Sequence, residues 1–333
     1  MLESYQNQSN STCCPFEEPV FFYMLPPVLI VTFLLGLILN GFALWAFCFH
    51  VKEWKSSTVY LFNLSLADFL LIICLPFRTD YYLKHMRWTY GDAPCRFMLF
   101  MLAMNRTGSI LFLTLIALDR YIRVVHPYSK INSMSSKLAT IVACTVWLAT
   151  ILLAIYIFMK VHTGGANQYC DSFMVCPAGS RKHDLLYVLM FFLPFCVVLL
   201  CTGSIIWRLG QRNLDKNAKI KKAVKCITVV AVLFSVCYLP SVWTRIEVLR
   251  LQATPEGDKC STYKTADTAF YIAVCFTYMN SMCNPLVYYF SSPSFRQFYL
   301  KIMKCSSVRE SESEAGTTNT NNQPQTRTIE SQL

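Results

Sequence analysis

The sequence predicts an all-α membrane protein: a bundle of seven transmembrane helices followed by a short interfacial amphipathic helix. Three observations carry that prediction. Apolar residues make up 54% of the 333 and charged residues only 15%, against the roughly 25% charged residues usual in soluble domains. The apolar residues are grouped into seven runs, each long enough for the about 20 residues a spanning helix needs. The polar stretches between them alternate between rich and poor in Lys and Arg, which is how cytoplasmic and external loops differ. The net charge of +11 does not point to nucleic acid, because no basic block is interleaved with aromatics outside the apolar runs.

In chain order the spans fall at 25–49, 57–83, 93–125, 138–159, 184–209, 219–249 and 266–290. Residues 1–24 form an external amino terminus. Residues 1–19 are too polar for a cleavable signal peptide, so the first span is expected to act as its own insertion signal. Residues 291–304 read as the interfacial helix, with Phe295, Phe298, Tyr299 and Ile302 on one face and Arg296, Lys301 and Lys304 elsewhere. From 305 to 333 the chain is rich in Ser, Thr, Asn, Gln and Glu. It cannot bury a core and is expected to be a disordered cytoplasmic tail.

Orientation follows from the basic residues. An external amino terminus puts Lys52, Lys55, Arg123, Lys130, Lys137, Arg208 and the cluster Lys216 to Lys225 on the cytoplasmic side. Two further signals agree. Asn7-Gln8-Ser9 and Asn10-Ser11-Thr12 are glycosylation acceptors only if exported. Of the sixteen cysteines, nine lie within spans, where a lone Cys is a small apolar residue, and six lie on the predicted outside: Cys13, Cys14, Cys95, Cys170, Cys176 and Cys260. An even number in an oxidising compartment points to three disulfides, whose connectivity sequence alone leaves open.

Ionisable groups within a membrane are costly unless paired or hydrated, so each is a functional candidate. Arg106 lies eleven residues past Cys95, about 16 Å along the third span, while Arg78 and Arg245 lie in the outer halves of the second and sixth. The nearest acids in the pattern, Asp80, Asp184, Glu247 and Asp267, fall closer to the outer edge. Arg106 is therefore left without an evident permanent partner. A guanidinium in a low-dielectric pocket suits a bidentate carboxylate, and a small acidic ligand would supply the missing charge. Asp68 shows the opposite sign. The pattern surrounds it with Asn105, Ser109, Asn280, Ser281 and Asn284, a set able to hold a sodium ion, to form a proton site, or to make a plain hydrogen-bonded network.

The motifs resemble those of the rhodopsin-like G-protein-coupled receptors. Gly36 and Asn40 stand in the first span, Leu64 and Asp68 in the second, and Cys95 with Asp119-Arg120-Tyr121 in the third. Trp147 marks the fourth, Pro194 the fifth, Cys237 with Pro240 the sixth, and Asn284-Pro285-Leu286-Val287-Tyr288 the seventh. Within that family the chain is similar to the hydroxycarboxylic acid receptors over residues 13–300. The carrying stretches are Leu75 to Leu83, Phe100 to Ile110, Tyr278 to Met282 and Tyr288 to Phe295.

The resemblance implies a ligand carboxylate bound by Arg106, with Arg78, Arg245, Ser172 and Tyr278 as helpers. It also implies disulfides Cys95–Cys170, Cys13–Cys176 and Cys14–Cys260. A packing switch of Pro194, Ile110 and Phe234 is expected, with Arg120 held by Asp119 at rest and released toward an inhibitory-class heterotrimeric G protein, lowering cyclic AMP. Ser and Thr residues of the tail beside Glu310, Glu312 and Glu314 would be phosphorylated by receptor kinases for arrestin, and Cys305 would be palmitoylated. Arg78 matches the lactate-responsive branch and Cys176 the nicotinate-responsive one. Three residues depart from the wider pattern: Tyr238 where tryptophan is common, Thr202 where an inward tyrosine is common, and Asn284 where close relatives have aspartate.

Two other readings compete. A receptor for oxidised fatty acids would share Arg78 and Arg106. A carboxylate transporter would also place arginines in the membrane but would show internal repeats and broken helices, which this sequence lacks. An enzyme is not indicated, since no nucleophile motif, metal-ligand cluster or phosphate-cradling loop is present and the five histidines are scattered at span ends.

Overall fold

The computed structural model describes residues 19–128, 134–159, 170–171, 181–212, 218–253, 259–292 and 295–300. Its elements are α1 (Pro19–Tyr23), α2 (Leu25–Phe49), α3 (Ser56–Leu83), α4 (Asp92–Val125), α5 (Ser136–Met159), α6 (Arg181–Arg212), α7 (Ala218–Leu233), a π-helical turn (Phe234–Tyr238), α8 (Leu239–Ala253) and α9 (Lys259–Ser291). The π turn runs without a break between α7 and α8, so the three make one long span.

Six spans have both the length and the apolarity to cross a membrane, and α9, at 33 residues, has the length. Its composition is more polar for an identifiable reason. Thr277, Asn280, Ser281 and Asn284 are all buried, so they face the bundle and not the lipid. The opposite pattern holds on the outside, where Leu152, Leu193, Leu200 and Trp243 are exposed, as a hydrocarbon solvent allows. Observed helices outrun the apolar windows at several ends: α6 begins at Arg181 and α9 at Lys259, where polar turns continue the helix beyond the apolar stretch.

Small residues and polar side chains set how closely the helices approach. A methyl group added at Gly36 of α2 would meet the Ile72 side chain of α3 at 3.1 Å, so the first two spans pack with backbone close to side chain. The Asn40 amide donates to the Ser281 carbonyl at 2.8 Å, tying α2 to α9. The Trp147 indole donates to Asn63 Oδ1 at 2.8 Å, tying α5 to α3. Prolines 76, 194 and 285 sit inside α3, α6 and α9, where neighbouring helices can re-satisfy the backbone groups they free. Residues 295–300, the described part of the expected interfacial helix, are helical. Phe295 stacks on Phe47 at 5.5 Å and Phe298 on Phe42 at 5.5 Å, so the predicted apolar face lies against α2.

Candidate functional site

The Cys95–Cys170 disulfide joins the first turn of α4 to the segment after α5, and it lays Asp171 across one end of the bundle. A cavity of about 110 Å³ opens beneath it, lined among others by Arg78, Arg106, Asp171, Tyr187, Phe270 and Tyr278. Helices α3, α4, α6 and α9 each supply a wall. The cavity thus brings together three of the residues implicated by sequence, Arg78, Arg106 and Tyr278, while Arg245 lies outside its lining.

The three arginines are not equivalent. Arg78 is 3% exposed, and its Nη2 pairs with Asp171 Oδ2 at 3.2 Å and donates to the Tyr82 hydroxyl at 2.9 Å. Its Nη1 donates to the Cys170 carbonyl at 3.1 Å. Arg245 is 2% exposed. It pairs with Asp184 at 2.7 Å and Asp267 at 3.8 Å while lying over the Phe270 ring. Both are buried cations already compensated, as buried charges must be. Arg106 differs. Its guanidinium lies 3.1 Å from the centre of the Tyr187 ring, and its buried Nε and Nη2 have no hydrogen-bond partner among the described residues. Two donors of a planar fork therefore point into a cavity without an acceptor.

Asp171 is the residue that sequence reading overlooked. The signal was available: it follows a cysteine expected in a disulfide, and such a bond pins its neighbour near the partner helix. Of the acids that were weighed, Asp184 and Asp267 serve Arg245. Asp80 instead pairs with Lys84 at 2.7 Å and Glu247 with Arg250 at 2.6 Å, both at exposed positions. The carboxylate of Asp80 holds the Lys84 ammonium, which lies outside the spans, above its ordinary pKa.

Beneath the cavity Asp68 is fully buried. Its Oδ1 accepts from Ser281 at 2.8 Å, Ser109 at 3.2 Å and Asn105 at 3.3 Å. Its Oδ2 accepts from Asn284 at 2.7 Å and Tyr288 at 3.2 Å. Asn280, grouped with Asp68 by sequence, does not join this hydrogen-bonded shell. It is buried, but neither of its amide atoms bonds to Asp68, because one step along a helix turns a side chain by about 100° and that face belongs to Ser281. The five donors complete the carboxylate's shell as a hydrogen-bonded network. Phe234, in the π turn, stacks with Phe195 at 6.4 Å, and Ile110 is buried in the same apolar core. Thr202, at the departing position, turns its hydroxyl back to the Val198 carbonyl of its own helix.

At the far end of α4, Asp119 Oδ2 pairs with Arg120 at 2.6 Å and with Arg123 at 3.0 Å. The hydroxyls of Ser56 and Ser57 donate to its two oxygens at 2.8 and 2.9 Å. Arg120 also contacts Ser57 directly. Tyr121 faces away, its hydroxyl near His126. Sequence reading named the Asp119–Arg120 pair but not the other three partners.

Several sequence expectations lie outside the described residues: the acceptors Asn7 and Asn10, Cys13, Cys14 and Cys176, Ser172, the side chain of Cys260, and Cys305 with the tail. Among the described residues no group of His, Cys, Asp and Glu is placed to hold a metal ion.

Comparison with known proteins agrees with this architecture. The family described as 7 transmembrane receptor (rhodopsin family) matches residues 39–288. Hydroxycarboxylic acid receptor 2 of Homo sapiens is 51% identical over 290 residues, covering 86% of this chain and 79% of that protein. Hydroxycarboxylic acid receptor 1 of Homo sapiens is 48% identical over 300 residues, covering 89% and 85%. Oxoeicosanoid receptor 1 of Homo sapiens is 38% identical over 293 residues, covering 86% and 74%. A transporter reading has no support from these matches, and neither does an enzyme. The chain belongs to the rhodopsin family of seven-transmembrane, G-protein-coupled receptors and, within it, to the hydroxycarboxylic acid receptor group.

Proposed function

We propose that the protein is a plasma-membrane receptor for a small monocarboxylate, lactate or a related hydroxycarboxylic acid, signalling through an inhibitory-class heterotrimeric G protein to lower cyclic AMP. The observation that carries the reading is Arg106: Arg78 and Arg245 pair with acids and leave only Nε without an acceptor, whereas Arg106 pairs with no described acid and leaves both Nε and Nη2 without one. A carboxylate placed there completes two parallel charge-assisted hydrogen bonds. Tyr278 and Ser172 would hold the ligand's remaining polar atoms. Arg78, through Asp171, and Arg245, through Asp184, hold the walls in place.

Cavity size favours a small ligand. The cavity, about 110 Å³, is of the order of the engineered cavity of about 150 Å³ that accommodates benzene, which supports a compact ligand over a long acyl chain. The Cys95–Cys170 disulfide supports an extracellular mouth, since such bonds persist in oxidising compartments. That orientation puts glycans on Asn7 and Asn10 outside and an acyl chain on Cys305 inside. Ligand binding would shift a two-state equilibrium in which Arg120 leaves Asp119 for the G protein.

The test is a panel of lactate, 3-hydroxybutyrate, nicotinate and oxidised eicosanoids on cells expressing the chain, read as inhibition of cyclic AMP formation. Lactate or 3-hydroxybutyrate should lower cyclic AMP. A response confined to the eicosanoids would overturn the proposal, as would labelled lactate uptake without signalling.

A further inference from the structure

The Tyr187 ring does more than line the cavity. Its face carries the Arg106 guanidinium at 3.1 Å, and its edge meets Phe270 at 5.9 Å. Its hydroxyl donates to Ser241 Oγ on α8 at 3.1 Å. Ser241 Oγ in turn donates to the backbone carbonyl of Tyr238, the last residue of the π turn, at 2.8 Å. This carbonyl lies two residues before Pro240, in a stretch where the regular ladder is already broken: proline has no N–H to donate, and the π turn adds a residue to the helical repeat. A short chain of contacts therefore runs from the anion anchor on α4, through one side chain of α6, to the irregular turn of the sixth span.

We infer that Tyr187 is a positioning residue that holds Arg106 by its ring and reports the state of Arg106 to the π turn through its hydroxyl and Ser241. The inference deepens the functional reading and rests on Arg106 being the carboxylate anchor. The ring face is an electrostatic partner of the guanidinium among the described side chains. A carboxylate that pairs with Arg106 cancels the net positive charge and draws the fork toward itself, so the attraction to the ring falls. Tyr187 then shifts with the guanidinium, and its hydroxyl carries that shift to Ser241 and the Tyr238 carbonyl. Ring and hydroxyl have separable jobs: the ring bears on ligand affinity, the hydroxyl on how far binding moves the sixth span. Phenylalanine at this position would preserve the first job and abolish the second.

The experiment measures lactate-driven G-protein activation, as half-maximal concentration and as maximum, together with ligand-free basal activation, for surface-matched receptors. Tyr187→Phe should leave the half-maximal concentration within about threefold while shifting the activation equilibrium by about fivefold, the worth of one hydrogen bond. This appears in both the maximum and the basal level. Ser241→Ala should reproduce it, and the double variant should add nothing further, since both lie on one path. Tyr187→Leu should weaken lactate potency by about tenfold through the lost ring face. If Arg106→Ala abolishes the response while Tyr187→Phe and Ser241→Ala behave as wild type, the relay is refuted and the anchor stands. Strictly additive effects of the two substitutions also refute the relay. If Arg106→Ala leaves lactate potency intact, the anchor itself falls and the relay with it.

Discussion

Arg106 and Arg120 lie fourteen residues apart on one helix, about 21 Å along its axis, and their surroundings are opposite. At the cavity end the guanidinium of Arg106 rests on an aromatic face with two donors lacking acceptors among the described residues. At the other end Arg120 shares the Asp119 carboxylate with Arg123, Ser56 and Ser57. The same side chain is undersupplied in one place and competes for its partner in the other. A buried cation short of acceptors is poised to gain a counter-charge from a ligand. A cation paired with a carboxylate inside a network is poised to be kept in place until something pulls it out. The contrast teaches that in a membrane the informative quantity is not where a charge lies but whether its neighbours already satisfy it.

The largest expected effect breaks the undersupplied end. Arg106→Ala should lower carboxylate potency by more than about a hundredfold, since a desolvated charge pair is worth about 3–5 kcal/mol against one partner alone. Surface expression should persist, because no described acid is left unpaired. Concentration–response curves for cyclic AMP check this, and Arg106→Lys should recover little, because an ammonium lacks the two-pronged geometry. Next in size, Asp171→Ala strands a buried Arg78 and should cost about 3–5 kcal/mol of stability, read as a lower unfolding temperature of the purified receptor. Removing both members in Arg78→Met/Asp171→Ala should restore most of it. If the single variant is as stable as wild type, Asp171 does not compensate Arg78, and the contrast between Arg78 and Arg106 falls.

A smaller effect is expected at the end where Arg120 is paired. Asp119→Asn should raise ligand-free G-protein activation several-fold by loosening Arg120, but by less than full activation, because Ser57 still contacts the guanidinium. An unchanged basal level would show that the network is not a lock. The smallest sharpens the comparison from outside. Lys84 and Asp80 make a pair at 2.7 Å, shorter than Arg78–Asp171 at 3.2 Å, yet at a solvent-facing rim, where such pairs contribute little. Lys84→Met should leave the unfolding temperature and the cyclic AMP response unaltered; a clear loss would mean that geometry, and not burial, sets the worth of these pairs.

Much of the fold was legible in the sequence. The windows for α2, α3 and α4 match the observed helices to within about a residue, because long apolar runs in lipid leave no alternative to helix. The polar start of α9 at Lys259 was not legible, since hydropathy marks where lipid lies and not where hydrogen bonding stops. The site was legible in part. Arg106, Arg78 and Tyr278 were found from charge in an apolar run and from resemblance, and the cavity brings them together. Asp171, Tyr187 and Ser241 were missed because each is ordinary in its local sequence. They acquire meaning only from residues 93, 81 and 54 positions away. Asn280 was included as a polar residue of the seventh span, but its amide atoms bond no described partner, because one residue along a helix turns a side chain by about 100°.

By itself, the sequence determined that this chain spans a membrane as a helical bundle and that three arginines sit where charge is costly. These are properties of composition and period, which local chemistry enforces residue by residue. Only the tertiary structure decided that Arg78 and Arg245 are already matched by acids while Arg106 is not, and that Asp119 serves four partners. Compensation of a charge depends on atoms within a few ångströms, and in a folded bundle those atoms come from helices that the chain reaches only after many turns.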